Sequence, residues 1–360
     1  MTNLSIVATC VFALLVFVML LIQFFNIKKL RIFSMVGSVL VIVSAMFMAY
    51  STYYGTGSDL HRYYEMLETF NGKSFDYAQK YGTYKNTILA NAFFWVIAQT
   101  GDYKLLPFIT IGVTISIIIY IIRKEIQVRN TNVNVGCLFF LLVIAVTGIQ
   151  AFISGIRQHL AVAIFALATY RDMRLGKKDL FTFLLYIVTC MVHLVAVFFV
   201  VIRLCSLIKS NIKYVFLLWG LFIPLLETIT SSSKYIEEAI FKLLEYQTID
   251  DVDYRFIVVQ ACVLLLTTFK LLYVKKRGVK NEYLNLLEVF IIFSFGSLPI
   301  VHLFSRQVQA TIFLSLPLLS EFYEKSTRNA WLVTNYLNTF FIVGLIAYQL
   351  VFAINYWQFI

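Results

Sequence analysis

Runs of about 20 apolar residues recur from one end of this chain to the other, and that repetition leaves few folds open. In hydrocarbon every backbone N–H and C=O must be satisfied internally, so such runs become helices packed side by side. The composition agrees. Of 360 residues, 60% are hydrophobic and only 14% charged, against about 25% charged in an ordinary soluble domain. The expected fold is all-α: a polytopic integral membrane protein of about 12 transmembrane or half-spanning helices. No stretch is long or polar enough for a separate soluble domain, so residues 1–360 read as a single transmembrane domain. The first run, Leu4 to Phe25, has no basic residue before it and no small-residue cleavage site, and reads as a retained helix.

The net charge of +11 would point to nucleic acid in a soluble protein. In a polytopic one it marks the cytoplasmic loops, so no nucleic-acid partner is expected. Basic clusters lie at Lys28/Lys29/Arg31, Arg123/Lys124/Arg129, Arg171/Arg174/Lys177/Lys178, Arg203/Lys209/Lys213, Lys275/Lys276/Arg277/Lys280 and Lys325/Arg328. One threading puts them all inside. Helices 4–25 and 33–50 form a hairpin, and a long outer loop covers 51–102. Segments 103–122, 135–152, 156–171, 180–192, 194–208, 214–231, 255–273, 284–301, 306–322 and 330–352 follow, with a second outer loop at 232–254. It has two requirements. The apolar stretch 87–99, about 13 residues, must lie on or dip into the outer surface, being shorter than a span. The stretch 180–208 must break near His193 and cross twice. Roughly two thirds of the basic residues then fall inside, as the positive-inside rule asks.

This threading gathers the unusual polar residues on the outer face. Residues 153–159 read Ile-Ser-Gly-Ile-Arg-Gln-His between apolar flanks. A charged side chain at mid-bilayer costs about 3 kcal/mol, and such residues are functional suspects. Here Arg157, Gln158 and His159 fall in the first turns of a descending helix. His193 sits at the broken helix top, Arg255 opens another descending helix, and His302 and Arg306 flank the last outer turn. Asp59, His61, Arg62, Tyr63 and Tyr64 belong to the first outer loop, which is rich in tyrosine.

Arg157, Arg255 and Arg306 thus stand at helix starts, where the helix dipole and free N–H groups favour anions. A planar guanidinium fork matches phosphate oxygens, so three such ends around one cavity would hold a diphosphate. The plainer alternative is that each arginine reaches lipid headgroups or pairs with a neighbouring carboxylate, as Asp251 and Asp253 allow for Arg255. His193 reads either as an interface histidine or as a general base, and Asp59 either as a helix cap or as a base. The tyrosines suit the membrane interface or the faces of sugar rings. The five cysteines contain no CxxC pair and read as small buried hydrophobes. No metal-ligand spacing, P-loop or nucleophile elbow is present, so no metal and no cofactor are expected.

The stretch Ile153-Ser-Gly-Ile-Arg157-Gln-His-Leu-Ala161 resembles the SGIRQ-x-x-A segment of the Wzy/EpsG-like polysaccharide polymerases of O-antigen, capsule and exopolysaccharide biosynthesis. The likeness extends to the basic loop Arg171–Lys178, the apolar segment Phe181–His193, Asp59 with Tyr63, and Arg306. One departure is Leu194-Val-Ala196, where a serine is common two residues after the histidine. The resemblance covers roughly residues 50–320. It implies a helical plan similar to the GT-C-like lipid-dependent glycosyltransferases, in a bacterial cytoplasmic membrane. It implies an enzyme that polymerises polyprenyl-diphosphate-linked oligosaccharide units at the outer leaflet, among membrane lipid and other assembly proteins. Arg157 would hold the diphosphate with Arg306 and Arg255, and His193 or Asp59 would take the acceptor proton. Gln158, His159, His302, Arg62, Tyr63 and Tyr64 would contact substrate. The alternatives are a transporter or flippase of lipid-linked oligosaccharide, a glycan ligase, and an O-acyltransferase.

Overall fold

The structure, a computed structural model, describes residues 31–51, 59–82, 87–129, 155–206, 254–276, 282–298 and 300–318. These residues are helical, with no strand among them. The expected helices 4–25, 135–152, 214–231 and 330–352 and the loop 232–254 lie outside, or all but outside, the described residues. The chain divides into two compact units, Met1–Val197 with Leu319–Ile360, and Phe198–Leu318.

In the first unit α1 (Arg31–Ser51) runs along α5 (Leu105–Arg129), which packs on α6 (Ile156–Thr169), which packs on α7 (Leu180–Val192). Within α5, Leu105–Glu125 is long and apolar enough to cross a membrane: 21 residues at about 1.5 Å each cover a bilayer core of about 30 Å. Gly112 permits the close approach of α1, since a Cβ there would sit 2.7 Å from Met46 Sδ.

Among the described residues of the stretch 51–102 are three short helices. These are α2 (Asp59–Phe70), α3 (Phe75–Tyr81) and α4 (Ile88–Thr100). Ser74 caps α3 by accepting the N–H of Tyr77 at 3.3 Å. Side chains of α4 then bind the other two. Trp95 Nε1 donates to Lys73 O at 2.8 Å, Gln99 Nε2 to Phe70 O at 2.9 Å, and Asn91 Nδ2 to Ala78 O at 3.2 Å. An apolar 13-residue helix about 20 Å long, shorter than a bilayer core of about 30 Å, is thereby joined to two polar helices.

The stretch 180–208 is broken at His193, which is extended (φ −147, ψ 126) between α7 and α8 (Ala196–Cys205). The imidazole contributes to the break: its Nδ1 accepts the N–H of Val195 at 3.2 Å, a bond that stands in for a helical one. At the opposite end of α6 a π-turn, Tyr170–Arg174, carries a buried ion pair. Arg174 donates to Glu125 at 2.5 Å, and the Tyr170 hydroxyl donates to the same carboxylate at 3.1 Å.

The second unit contains α9 (Tyr254–Lys276), α10 (Glu282–Gly296) and α11 (Val301–Ser315). Tyr283 donates to Leu314 O at 2.8 Å, Ser294 and Thr311 share a bond of 3.0 Å, and Lys275 meets Glu288 at 2.5 Å. The α10–α11 boundary differs from the expected 284–301 and 306–322. Pro299 disfavours helix at the residue before it, so α10 stops at Gly296 and α11 starts at Val301. His302 and Arg306 are therefore inside α11, in its first and second turns, and Arg306 does not open the helix.

Candidate functional site

Arg157 is the second residue of α6 and only 6% exposed. A buried guanidinium needs its N–H groups satisfied. One comes from 70 residues away: Nη2 donates to Thr87 Oγ1 at 3.0 Å. Thr87 is the N-cap of α4, yet its hydroxyl makes no cap bond to its own helix; it serves the arginine instead. Nη2 also donates to the carbonyl of Val192 at 3.2 Å. Val192 is the last residue of α7, where carbonyls lack helical partners and the dipole is negative. Below the fork lies the Phe94 ring, 5.9 Å from the guanidinium carbon. Arg157 thus ties together the starts of α6 and α4 and the end of α7.

The same contacts bring other expected residues to this point. Val192 O belongs to the peptide that leads into His193, which is half-buried. Since Nδ1 of His193 accepts a backbone N–H, the neutral ring carries its proton on Nε2. Tyr63, 6% exposed, packs its ring 5.3 Å from that of Phe94. Asp59 begins α2 four residues earlier and pairs with the exposed Arg62. Tyr64 is turned inward: burial first, and then the charge of Asp102, raise its phenol far above the ordinary range.

Next to Arg157, Gln158 is half-buried, while His159 is 2% exposed. His159 Nδ1 donates to Gly155 O at 2.9 Å, one turn back along its own helix. In the second unit Arg255 is the second residue of α9, as expected at a helix start, and Arg306 is half-buried in α11. Thr87 and Phe94 were not singled out from the sequence. They sit in a segment whose only visible signal is apolarity, and nothing local links them to an arginine 70 positions on.

Among the described residues there is no group of three or more His, Cys, Asp or Glu able to hold a metal ion. The arginine of the SGIRQ segment stands at a three-helix junction. The EpsG family pattern matches residues 38–360, which includes both this junction and all of the second unit. The chain belongs to the EpsG family. Membership makes it a membrane-associated protein of polysaccharide biosynthesis, of polymerase type. No curated protein and no solved structure matches the chain. Within this EpsG-family protein, the Arg157 junction adjoins His193 through Val192 and Tyr63 through Phe94.

Proposed function

We propose that this EpsG-family protein polymerises polyprenyl-diphosphate-linked oligosaccharide units at the outer leaflet of a bacterial cytoplasmic membrane. In this reading the chain is one transmembrane domain of about 12 spanning or half-spanning helices with a GT-C-like plan. Loops 51–102 and 232–254 face outward, α4 lies at the outer surface, and active-site chemistry gathers there. The reaction is a glycosyl transfer. An acceptor hydroxyl oxygen attacks the anomeric carbon, the bond from that carbon to the diphosphate oxygen breaks, and polyprenyl diphosphate leaves with the electron pair. The acceptor proton passes to a base.

One observation carries the reading most: a buried arginine fork at the N-terminal end of α6, beside the N-terminal end of α4 and one peptide from His193. Cationic groups at such ends stabilise a leaving diphosphate as its charge develops. Arg157 is the main ligand, with Arg306 and Arg255 assisting. His193 and Asp59 are the candidates for the base. The Val195 N–H occupies Nδ1 of His193, so that nitrogen takes a proton only if the contact opens. Asp59 keeps lone pairs beyond its Arg62 contact. Gln158, His159, His302, Arg62, Tyr63 and Tyr64 bind and orient the glycan. Partners are the lipid-linked oligosaccharide, membrane lipid and other assembly proteins.

The test is polymer formation by purified protein from lipid-linked units in detergent. Polymer with no second compartment supports an enzyme. Transport without polymer in proteoliposomes would overturn it in favour of a flippase. Long polymer made at the ordinary rate by Arg157→Ala would overturn the site.

A further inference from the structure

A second polar cluster lies at the far end of α4 from Arg157. Gly101, with φ 72, ends α4 and turns the chain so that Asp102 follows outside the helix. The Asp102 carboxylate accepts the Tyr50 hydroxyl at 2.9 Å through Oδ2 and the Lys104 N–H at 3.2 Å through Oδ1. The Lys104 ammonium stands 5.7 Å from the centre of the Tyr50 ring, and the Phe108 ring meets that tyrosine edge-on at 6.0 Å. The Tyr64 phenol of α2 is raised by burial first and then by the charge of Asp102. Its hydroxyl is buried with no hydrogen-bond partner, which is destabilising unless something later satisfies it. Tyr50 and Asp102 are half exposed and Lys104 is exposed, so the cluster opens to a ligand.

The chemistry selects the ligand class. A carboxylate that accepts from one phenol, a second buried phenol with no partner and the Tyr50 ring supply acceptor, donor and aromatic surface. That pattern matches a neutral polyhydroxylated ring. The carboxylate disfavours an anion, and a single carboxylate makes a poor metal site. Position adds a constraint. The 13 residues of α4 separate this cluster from Thr87 and Arg157 by about 20 Å. One sugar cannot reach both ends, whereas an oligosaccharide can.

We propose that Asp102, with Tyr50, Tyr64 and Lys104, forms a distal sugar subsite that holds a glycosyl residue of the repeat unit several positions from the diphosphate. The proposal rests on the transfer reading above. It makes the length of α4 a ruler for the oligosaccharide.

The probes are polyprenyl diphosphate carrying the cell's own full repeat unit, the same lipid carrying one sugar, and the full repeat unit released from lipid by mild acid. Binding is measured with the full chain in detergent. Asp102→Asn and Lys104→Gln weaken binding of the full unit, lipid-linked or released, by about tenfold for Asp102→Asn, the loss of charged hydrogen bonds. Binding of the one-sugar lipid is unchanged in both. Equal weakening for the one-sugar lipid, or unchanged binding of every probe by both variants with wild-type melting, overturns the subsite. Lys104→Gln keeps the backbone N–H, so its result stands if Asp102→Asn fails to fold. Arg157→Ala separates the two claims. If it leaves binding of both lipids intact, the transfer reading fails, while the released oligosaccharide still reports on Asp102.

Discussion

Arg157 donates its guanidinium to the carbonyl of Val192 at 3.2 Å, the peptide oxygen immediately before His193. Thirty-six positions apart in sequence, Arg157 and His193 are thereby one peptide apart in space. The bond gives the arginine a structural role beside the proposed chemical one. Arg157→Lys keeps the charge but not the fork that meets both Thr87 and Val192. The expected outcome is polymer yield lowered at least tenfold on a glycan gel with the protein still in the membrane. Thr87→Val, which removes one acceptor only, should lower yield less than Arg157→Lys. A Thr87→Val loss as deep as that of Arg157→Ala would mean that holding Arg157 matters more than its charge.

His193 presents Nε2–H when its Nδ1 holds the Val195 N–H. Glutamine can place an amide donor near the Nε2 position but is no base. If His193 acts as a donor, His193→Gln keeps a substantial part of the turnover that His193→Ala loses. If it is the base, both variants fall together and the acid limb of the pH–rate profile disappears.

The pair Arg174–Glu125 is buried, with side chains 8% and 3% exposed. Removing one partner strands the other, at about 3–5 kcal/mol. Glu125→Ala should therefore melt many degrees lower in detergent, and Glu125→Ala with Arg174→Met should recover part of the loss. Equal melting of wild type and Glu125→Ala would count against the pair.

Asp179 caps α7 through the Thr182 hydroxyl and N–H, with Arg171 adding to them, and its carboxyl is lowered to about 2. The folded value lies below the ordinary 3.8, so the unfolded chain binds more protons between the two and stability rises with pH there. The contribution is complete above the ordinary value and lost as pH falls through about 2. The melting difference between wild type and Asp179→Asn should stay constant from pH 8 to 5 and shrink only below pH 4.

Gly112 faces Met46, with Sδ 2.7 Å and Cε 2.9 Å from where a Cβ would stand. The methionine end is flexible, so Gly112→Ala should cost about 1 kcal/mol and Gly112→Val about 3 kcal/mol. Met46→Ala should relieve most of the valine penalty. Melting of the four proteins checks this.

Much of this was legible in the sequence because it depends on local chemistry. Apolar runs become helices wherever backbone groups must pair internally, and the run 180–192 carries the bounds of α7 in its own residues. The SGIRQ segment marks its own arginine. The start of α11 was misplaced because apolar length was followed across Pro299, where backbone sterics decide. The partners of Arg157 were beyond reach for another reason. Thr87, Phe94 and Val192 carry no sign of an arginine in their own neighbourhoods, and they meet it only when α4, α6 and α7 pack. From the residues alone follow a helical, membrane-associated chain and, through its likeness to the EpsG family, the arginine that marks it. Which oxygens hold that arginine follows from packing, because those contacts join residues 35 to 70 positions apart.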